Sequence, residues 1–161
     1  MSELNPYDKF LDGRALDTIL AATPGEIGQL MLAIGADREN IAPAPGKWSP
    51  AEIVAHLADC ELVFGFRLRQ TLAEDSPVIQ PFDQDDWAKR YAVYNMASAL
   101  EMFRAARVWN VKLIGGASEA DFAREMTHPE RGTMTFQTVV ETMAGHDLNH
   151  LGQLQGVGDR V

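Results

Sequence analysis

The stretch Ser49-Pro50-Ala51-Glu52-Ile53-Val54-Ala55-His56-Leu57-Ala58-Asp59-Cys60 decides the architecture. Ser49 and Glu52 make a capping box, and Pro50 takes the first helical position, where a missing N–H does no harm. From that start Ile53, Leu57, Cys60, Val63 and Phe64 recur at helical spacing, with His56 among them. Glu52, Glu61, Arg69 and Gln70 suit the wetter sides. The spacing predicts a helix over 50–73, with His56 on a face that should point into a core.

Toward the N-terminus, residues 12–22 read as a short helix. A second capping box, Thr23-Pro24-Gly25-Glu26, predicts a new helix start, followed by Ile27, Leu30, Met31 and Ile34. Pro43, Pro45 and Gly46 mark a loop. After the 50–73 helix, Ser76-Pro77 and Gln80-Pro81 predict a long crossover over 74–94, with a turn or two of helix around Trp87 to Tyr91. Asn95 is the N-cap expected for a helix over 96–114, with Leu100, Phe103, Val108, Val111 and Leu113 or Ile114 as its apolar positions. Gly115-Gly116 ends it. Residues 117–134 read as a second long connection with a helical turn near Glu119 to Phe122, and Thr135 caps a last helix over 136–157. No stretch shows strand alternation. The expected fold is therefore all-α, a four-helix bundle with long crossover connections. It forms one domain over 1–161, with its core at about 14–157. The pattern alone leaves the order of the helices around the bundle open.

The 161 residues are 46% apolar, enough for one core. The net charge is −9, and Lys and Arg form no dense patch. That excludes a nucleic-acid backbone and a polybasic membrane anchor as partners, and leaves a small molecule or another protein. No apolar run is long enough to cross a bilayer. Met1 to Phe10 is polar and lacks the blocks of a signal peptide, which predicts a cytoplasmic chain. The single cysteine, Cys60, rules out an intrachain disulfide and a Cys-rich metal site.

Two of the four histidines stand in His146-Asp147-Leu148-Asn149-His150. Residues four apart share a helix face, so two imidazoles there can bind one ion. Val139, Met143, His146, His150 and Leu154 form one stripe on the last helix; Ile53, His56, Cys60 and Val63 form another on the second. Buried imidazoles need hydrogen-bond partners or a metal. His56, His146 and His150 are thus the candidate ligands of one divalent ion, zinc or nickel first and iron also. Three imidazoles leave a coordination position open, as catalytic rather than structural sites do. Cys60 could approach the ion as a thiolate, or be a small buried residue with inert sulfur. Asp59 could orient a ligand or act as a base, or be a solvated helix residue. Gln153 could contact a ligand at the bundle mouth. Asp147 and Asn149 point off the histidine face, toward capping or interhelix hydrogen bonds. His128, in a loop before a proline, reads as structural. Trp48 reads as a staple against Ile53 or Val54. Arg67 and Arg69 could bind an acidic substrate or sit at a solvated helix end.

At these residues the chain resembles the DinB/YfiT-like superfamily of metalloenzymes, specifically its DinB-like branch. The match runs through Gly46-Lys47-Trp48-Ser49-Pro50-Ala51-Glu52-Ile53-Val54-Ala55-His56-Leu57-Ala58-Asp59, through His128-Pro129-Glu130-Arg131-Gly132, and through Gly145-His146-Asp147-Leu148-Asn149-His150-Leu151-Gly152-Gln153. Pro81-Phe82-Asp83-Gln84-Asp85-Asp86-Trp87 also fits that branch. The resemblance spans roughly residues 20–157. It implies an up-down-down-up bundle, a three-histidine metal site carried onto His56, His146 and His150, and a homodimer. Some relatives are transferases or isomerases that use low-molecular-weight thiols such as bacillithiol or mycothiol.

Three functions remain in competition on the sequence. One is a metal-dependent enzyme, a thiol-dependent transferase or a hydrolase acting on a small molecule. Another is a non-catalytic metal-binding stress-response or interaction module. The third has no metal, and the histidines hydrogen-bond in the core.

Overall fold

A computed structural model describes residues 4–159; residues 1–3, the start of the polar segment Met1 to Phe10, and residues 160–161 lie outside the described residues. Six helices follow in order: α1 (Leu16–Ile34), α2 (Pro50–Ala73), α3 (Gln84–Ala88), α4 (Met96–Gly115), α5 (Glu119–Phe122) and α6 (Phe136–Gly158). A short hairpin, β1 (Glu125–His128) and β2 (Gly132–Thr135), precedes α6, and single 3-10 turns lie at Asp8–Phe10 and Tyr91–Val93.

The caps explain where three of the long helices begin. Ser49 Oγ accepts the Glu52 N–H while Glu52 Oε2 accepts the Ser49 N–H, so the capping box read from the sequence is present. Asn95 Oδ1 accepts the Ser98 N–H and Thr135 Oγ1 accepts the Thr138 N–H.

The expected break at Thr23-Pro24 does not occur. Helix α1 runs through it, with Pro24 inside. Thr23 does not cap; its hydroxyl is buried and donates back to the Ile19 carbonyl. Pro24 has no N–H for the carbonyl four residues earlier, which is a costly loss in a helix interior. Arg107 of α4 repairs it, because its Nη1 donates to the Leu20 carbonyl at 3.0 Å. A long-range contact thus overrides a local stop signal.

The hairpin is the second departure. β1 and β2 pair antiparallel with His128 opposite Gly132, whose φ of 94° lets the chain turn. Pro77 and Ile79 of the crossover bond to Thr127 on its outer edge. With four residues per strand and only Met126, His128 and Met134 buried, the alternation is too short to register as a strand pattern.

Four long helices form the bundle. α2 packs on α4 and α6, and α1 packs on the same two, so the consecutive helices α1 and α2 lie across a diagonal. Glu61 meets Arg107 and Gly65 faces Asn110, which makes α2 and α4 parallel. Leu20 meets Arg107 and Pro24 meets Arg104, so α1 and α4 are antiparallel. Trp48 lies beside His150 and Phe64 beside His146, so α2 and α6 are antiparallel as well. The order is up-down-down-up, and parallel neighbours α2 and α4 explain why residues 74–95 must cross the length of the bundle.

Arg107 joins all four helices. Its guanidinium binds Asp147 of α6 through two hydrogen bonds of 2.6 and 3.0 Å, Glu61 of α2 at 2.8 Å, and the Leu20 carbonyl of α1. Asn110 completes the set by donating to Glu61 Oε1. Its charge predicts a wetter side for Glu61, yet it is 1% exposed; Val108, expected in the core, is 58% exposed because Arg107 and Asn110 take the inner face of α4. Burial alone would lower the Arg107 pKa; Asp147 and Glu61 overcome that and raise it, so the guanidinium stays charged. Arg107→Ala strands two buried carboxylates and the Leu20 carbonyl, and is expected to destabilise the fold by about 3–5 kcal/mol. Urea unfolding followed by circular dichroism measures it; a loss below about 1 kcal/mol would mean the network is peripheral.

Candidate metal centre

α2 brings His56 and α6 brings His146 and His150 to one point in the core. The three are 1%, 3% and 5% exposed. His146 Nε2 lies 3.0 Å from His56 Nε2 and 3.1 Å from His150 Nε2, and one ring nitrogen from each residue falls within 4.8 Å of the others. The Nδ1–H of His150 donates to Gln153 Oε1 at 2.9 Å, which leaves its Nε2 as a bare lone pair facing the other two rings.

Burial lowers all three pKa values, His56 to about 3, and the neighbouring imidazoles add to the effect at His56 and His146. The rings are neutral at physiological pH. Three neutral nitrogens pointing at one another can share protons only pairwise, and the His150 proton is already committed to Gln153. The two separations from His146, near 3 Å, also suit ligands each about 2.0–2.1 Å from a common centre. The donor set therefore fits a divalent ion of the imidazole-binding class.

Aromatic rings wall the cluster. Trp48 lies 4.7 Å from the His56 ring and stacks toward His150 at 6.4 Å. Tyr7 meets the His146 ring edge-on at 5.1 Å, and Phe64 approaches it at 5.9 Å. Tyr7 reaches that position because residue 145 is glycine: a Cβ there would sit 2.6 Å from the Tyr7 carbonyl oxygen. A cavity of about 80 Å³ reaches the cluster at His146, between α2, α6 and the hairpin. A larger cleft of about 520 Å³ lies beyond Trp48 and Gln153.

The DinB superfamily profile matches residues 20–154. The chain belongs to the DinB superfamily. One relative, from Oceanobacillus iheyensis, is named "Putative metal-dependent hydrolase OB0782"; it is 26% identical over 99% of this chain and 98% of its own length. YfiT of Bacillus subtilis is 20% identical, and its solved structure, described as an unusual four-helix bundle topology, superposes with a TM-score of 0.84 over 90% of this chain and 85% of that one. The crystal structure of the mycothiol-dependent maleylpyruvate isomerase matches with a TM-score of 0.69 at 12% identity, over 96% of this chain and 63% of that one. These structural likenesses establish the DinB fold.

Within this DinB fold the remaining candidates sort by contact. Gln153 is exposed at the edge of the larger cleft and orients His150 from the helix surface. Asp147 makes the interhelix bond expected of a residue off the histidine face. Asp59 is half-buried against Tyr91, and burial raises its pKa; no described contact joins it to an imidazole. Trp48 does more than staple the start of α2, since it forms the wall over His56 and His150. His128 is buried at the hairpin turn, where its Nδ1 accepts the Glu130 N–H, and it lies outside the three-histidine cluster. Arg69 is spent on the Gly65 carbonyl and Asn110. Arg67 lines the small cavity. Tyr7, Tyr91 and Arg107 escaped the sequence reading. Arg107 and Asn110 could have been found there, because they continue the stripe Leu100-Phe103 at helical spacing.

Cys60 Sγ lies 3.5 Å from His56 Nε2, yet burial pushes its thiol pKa well up, with Asp59 adding to the effect. The thiol is held protonated and 4% exposed. It is expected to resist iodoacetamide in the native protein and to react fully in denaturant. Rapid native alkylation, detected by mass spectrometry, would show a thiolate instead.

Proposed function

We propose that this DinB-superfamily protein is a divalent-metal-dependent enzyme acting on a small molecule, with His56, His146 and His150 holding the ion through Nε2. The convergence of the three Nε2 atoms, one of them fixed by Gln153, carries this reading. Once bound, the ion would supply Lewis-acid chemistry, activating a water or thiol and polarising a carbonyl. The chain's own residues do the rest. Gln153 sets the tautomer of His150, and Trp48, Phe64 and Tyr7 exclude bulk water from the rings. The cavity at His146 leaves one side of the cluster approachable, which favours an enzyme over a closed structural module.

Hydrolysis is the preferred reaction, in line with the names of relatives such as that from Oceanobacillus iheyensis. Transfer to a low-molecular-weight thiol is the second reading, supported by the fold shared with the mycothiol-dependent isomerase. In that case the thiol comes with the ligand, since Cys60 is buried and protonated.

Elemental analysis is expected to find about one zinc or nickel ion per chain, lost in His146→Ala. Wild-type metal content in His146→Ala would end the three-histidine assignment. Gln153→Leu is expected to weaken zinc affinity by about 10–100-fold without lowering the melting temperature of the metal-free protein. Chelator competition reads that affinity; an unchanged value would remove Gln153 from the site.

A further inference from the structure

The cavity beside His146 has an unusual charge. Arg67 of α2 and Arg131 of the hairpin turn both line it, with His128, Tyr7 and Thr142, and no Asp or Glu among the described residues does. The chain as a whole carries 23 acidic and 14 basic residues, so this is a local reversal of sign. Arg67 is held in place because its Nη2 donates to the Gln80 carbonyl at 2.9 Å, while its Nε is buried with no acceptor. A guanidinium beside a cavity can bind an oxyanion through paired N–H donors. Burial lowers the Arg67 pKa, Cys60 opposes that, and the charge of Arg131 lowers it in turn. Burial and the same two cations lower the His128 pKa, against a smaller opposing effect of Glu130. Two like charges held together around a cavity that opens on a candidate metal centre are the arrangement of an anion subsite.

We propose that Arg67 and Arg131 bind an anionic oxygen group of the substrate, a carboxylate or a phosphate, and so place the adjoining part of the substrate at His146. The volume of about 80 Å³ admits such a group rather than a whole large ligand. Phe64, Phe82 and Met134 form the apolar part of the wall, which suits a hydrocarbon next to the anion. The inference rests on the metal-dependent reading only for what the substrate meets at His146.

The test is calorimetric titration of benzoate and of inorganic phosphate into zinc-loaded and metal-free protein. Wild type, Arg67→Gln, Arg67→Lys and Arg131→Gln are compared, each checked for folding by thermal melting. At least one anion is expected to bind wild type in both metal states. Affinity should fall about tenfold or more in either glutamine variant and recover in part in Arg67→Lys. Tighter benzoate identifies a carboxylate subsite, and tighter phosphate a phosphate one. If Arg67→Gln does not fold, Arg131→Gln alone decides. Equal affinity in the variants, binding only when zinc is present, or no binding at all overturns the subsite. Zinc content of the same samples reports separately on the metal: full loading without anion binding leaves the metal reading standing, and arginine-dependent anion binding without zinc leaves the subsite standing.

Discussion

The two hydrogen bonds from Arg107 to Asp147 put a cation at the centre of the bundle at 2% exposure, and much else depends on them. Taking a guanidinium and a carboxylate out of water is expensive, and the expense is met only when nearly every donor and acceptor finds a partner. Here the second carboxylate of Glu61, the Asn110 amide and the Leu20 carbonyl supply those partners. Each comes from a different helix or a different turn. A rotation of α6 by one residue would separate Asp147 from Arg107 and carry His146 away from His56. The ion pair therefore does for the histidines what apolar packing does less sharply: it fixes the register in which they meet.

The same constraint explains what the sequence could and could not tell. The starts of α2, α4 and α6 were legible because caps are local chemistry: Ser49, Asn95 and Thr135 each bond a backbone N–H three residues away. The histidine cluster was legible because His56 and the His146–His150 pair fall on apolar stripes, where an imidazole is out of place. The break expected in α1 fails because Thr23-Pro24 is a valid local start signal, and the residue that cancels it, Arg107, stands 87 residues beyond the Leu20 carbonyl it binds. Glu61 was misassigned for a related reason. A charge looks solvated until its partner is known, and its partners stand on another helix.

Close backbone approach marks a further limit of sequence patterns. Gly65 faces Asn110, whose side-chain oxygen would lie 2.6 Å from a Cβ at that position. Gly145 admits the backbone of Tyr7 at the same distance, and so allows an N-terminal segment to lay its ring against His146. In a helix a glycine usually weakens the structure. Here each gives up local helix stability for a contact that the network or the site requires. Nothing in the run of residues around Gly65 or Gly145 distinguishes them from the exposed Gly152 and Gly156.

The electrostatics of the core follow from these placements. Three neutral imidazoles contribute no countercharge to a divalent ion held in a medium of low dielectric. The Arg107 network sets Asp147 and Glu61 against Arg107, with Arg69 joined to it through Asn110, and Asp147 is adjacent in sequence to His146. On the cavity side Arg67 and Arg131 line the space that His146 borders, and Asp147 and Glu61 do not. The buried network acts unevenly on the rings: Asp147 favours a cation at His150, while Arg107 opposes one at His146. The charges thus lie unevenly about the histidines, with carboxylates on the Arg107 side and guanidinium groups on the cavity side.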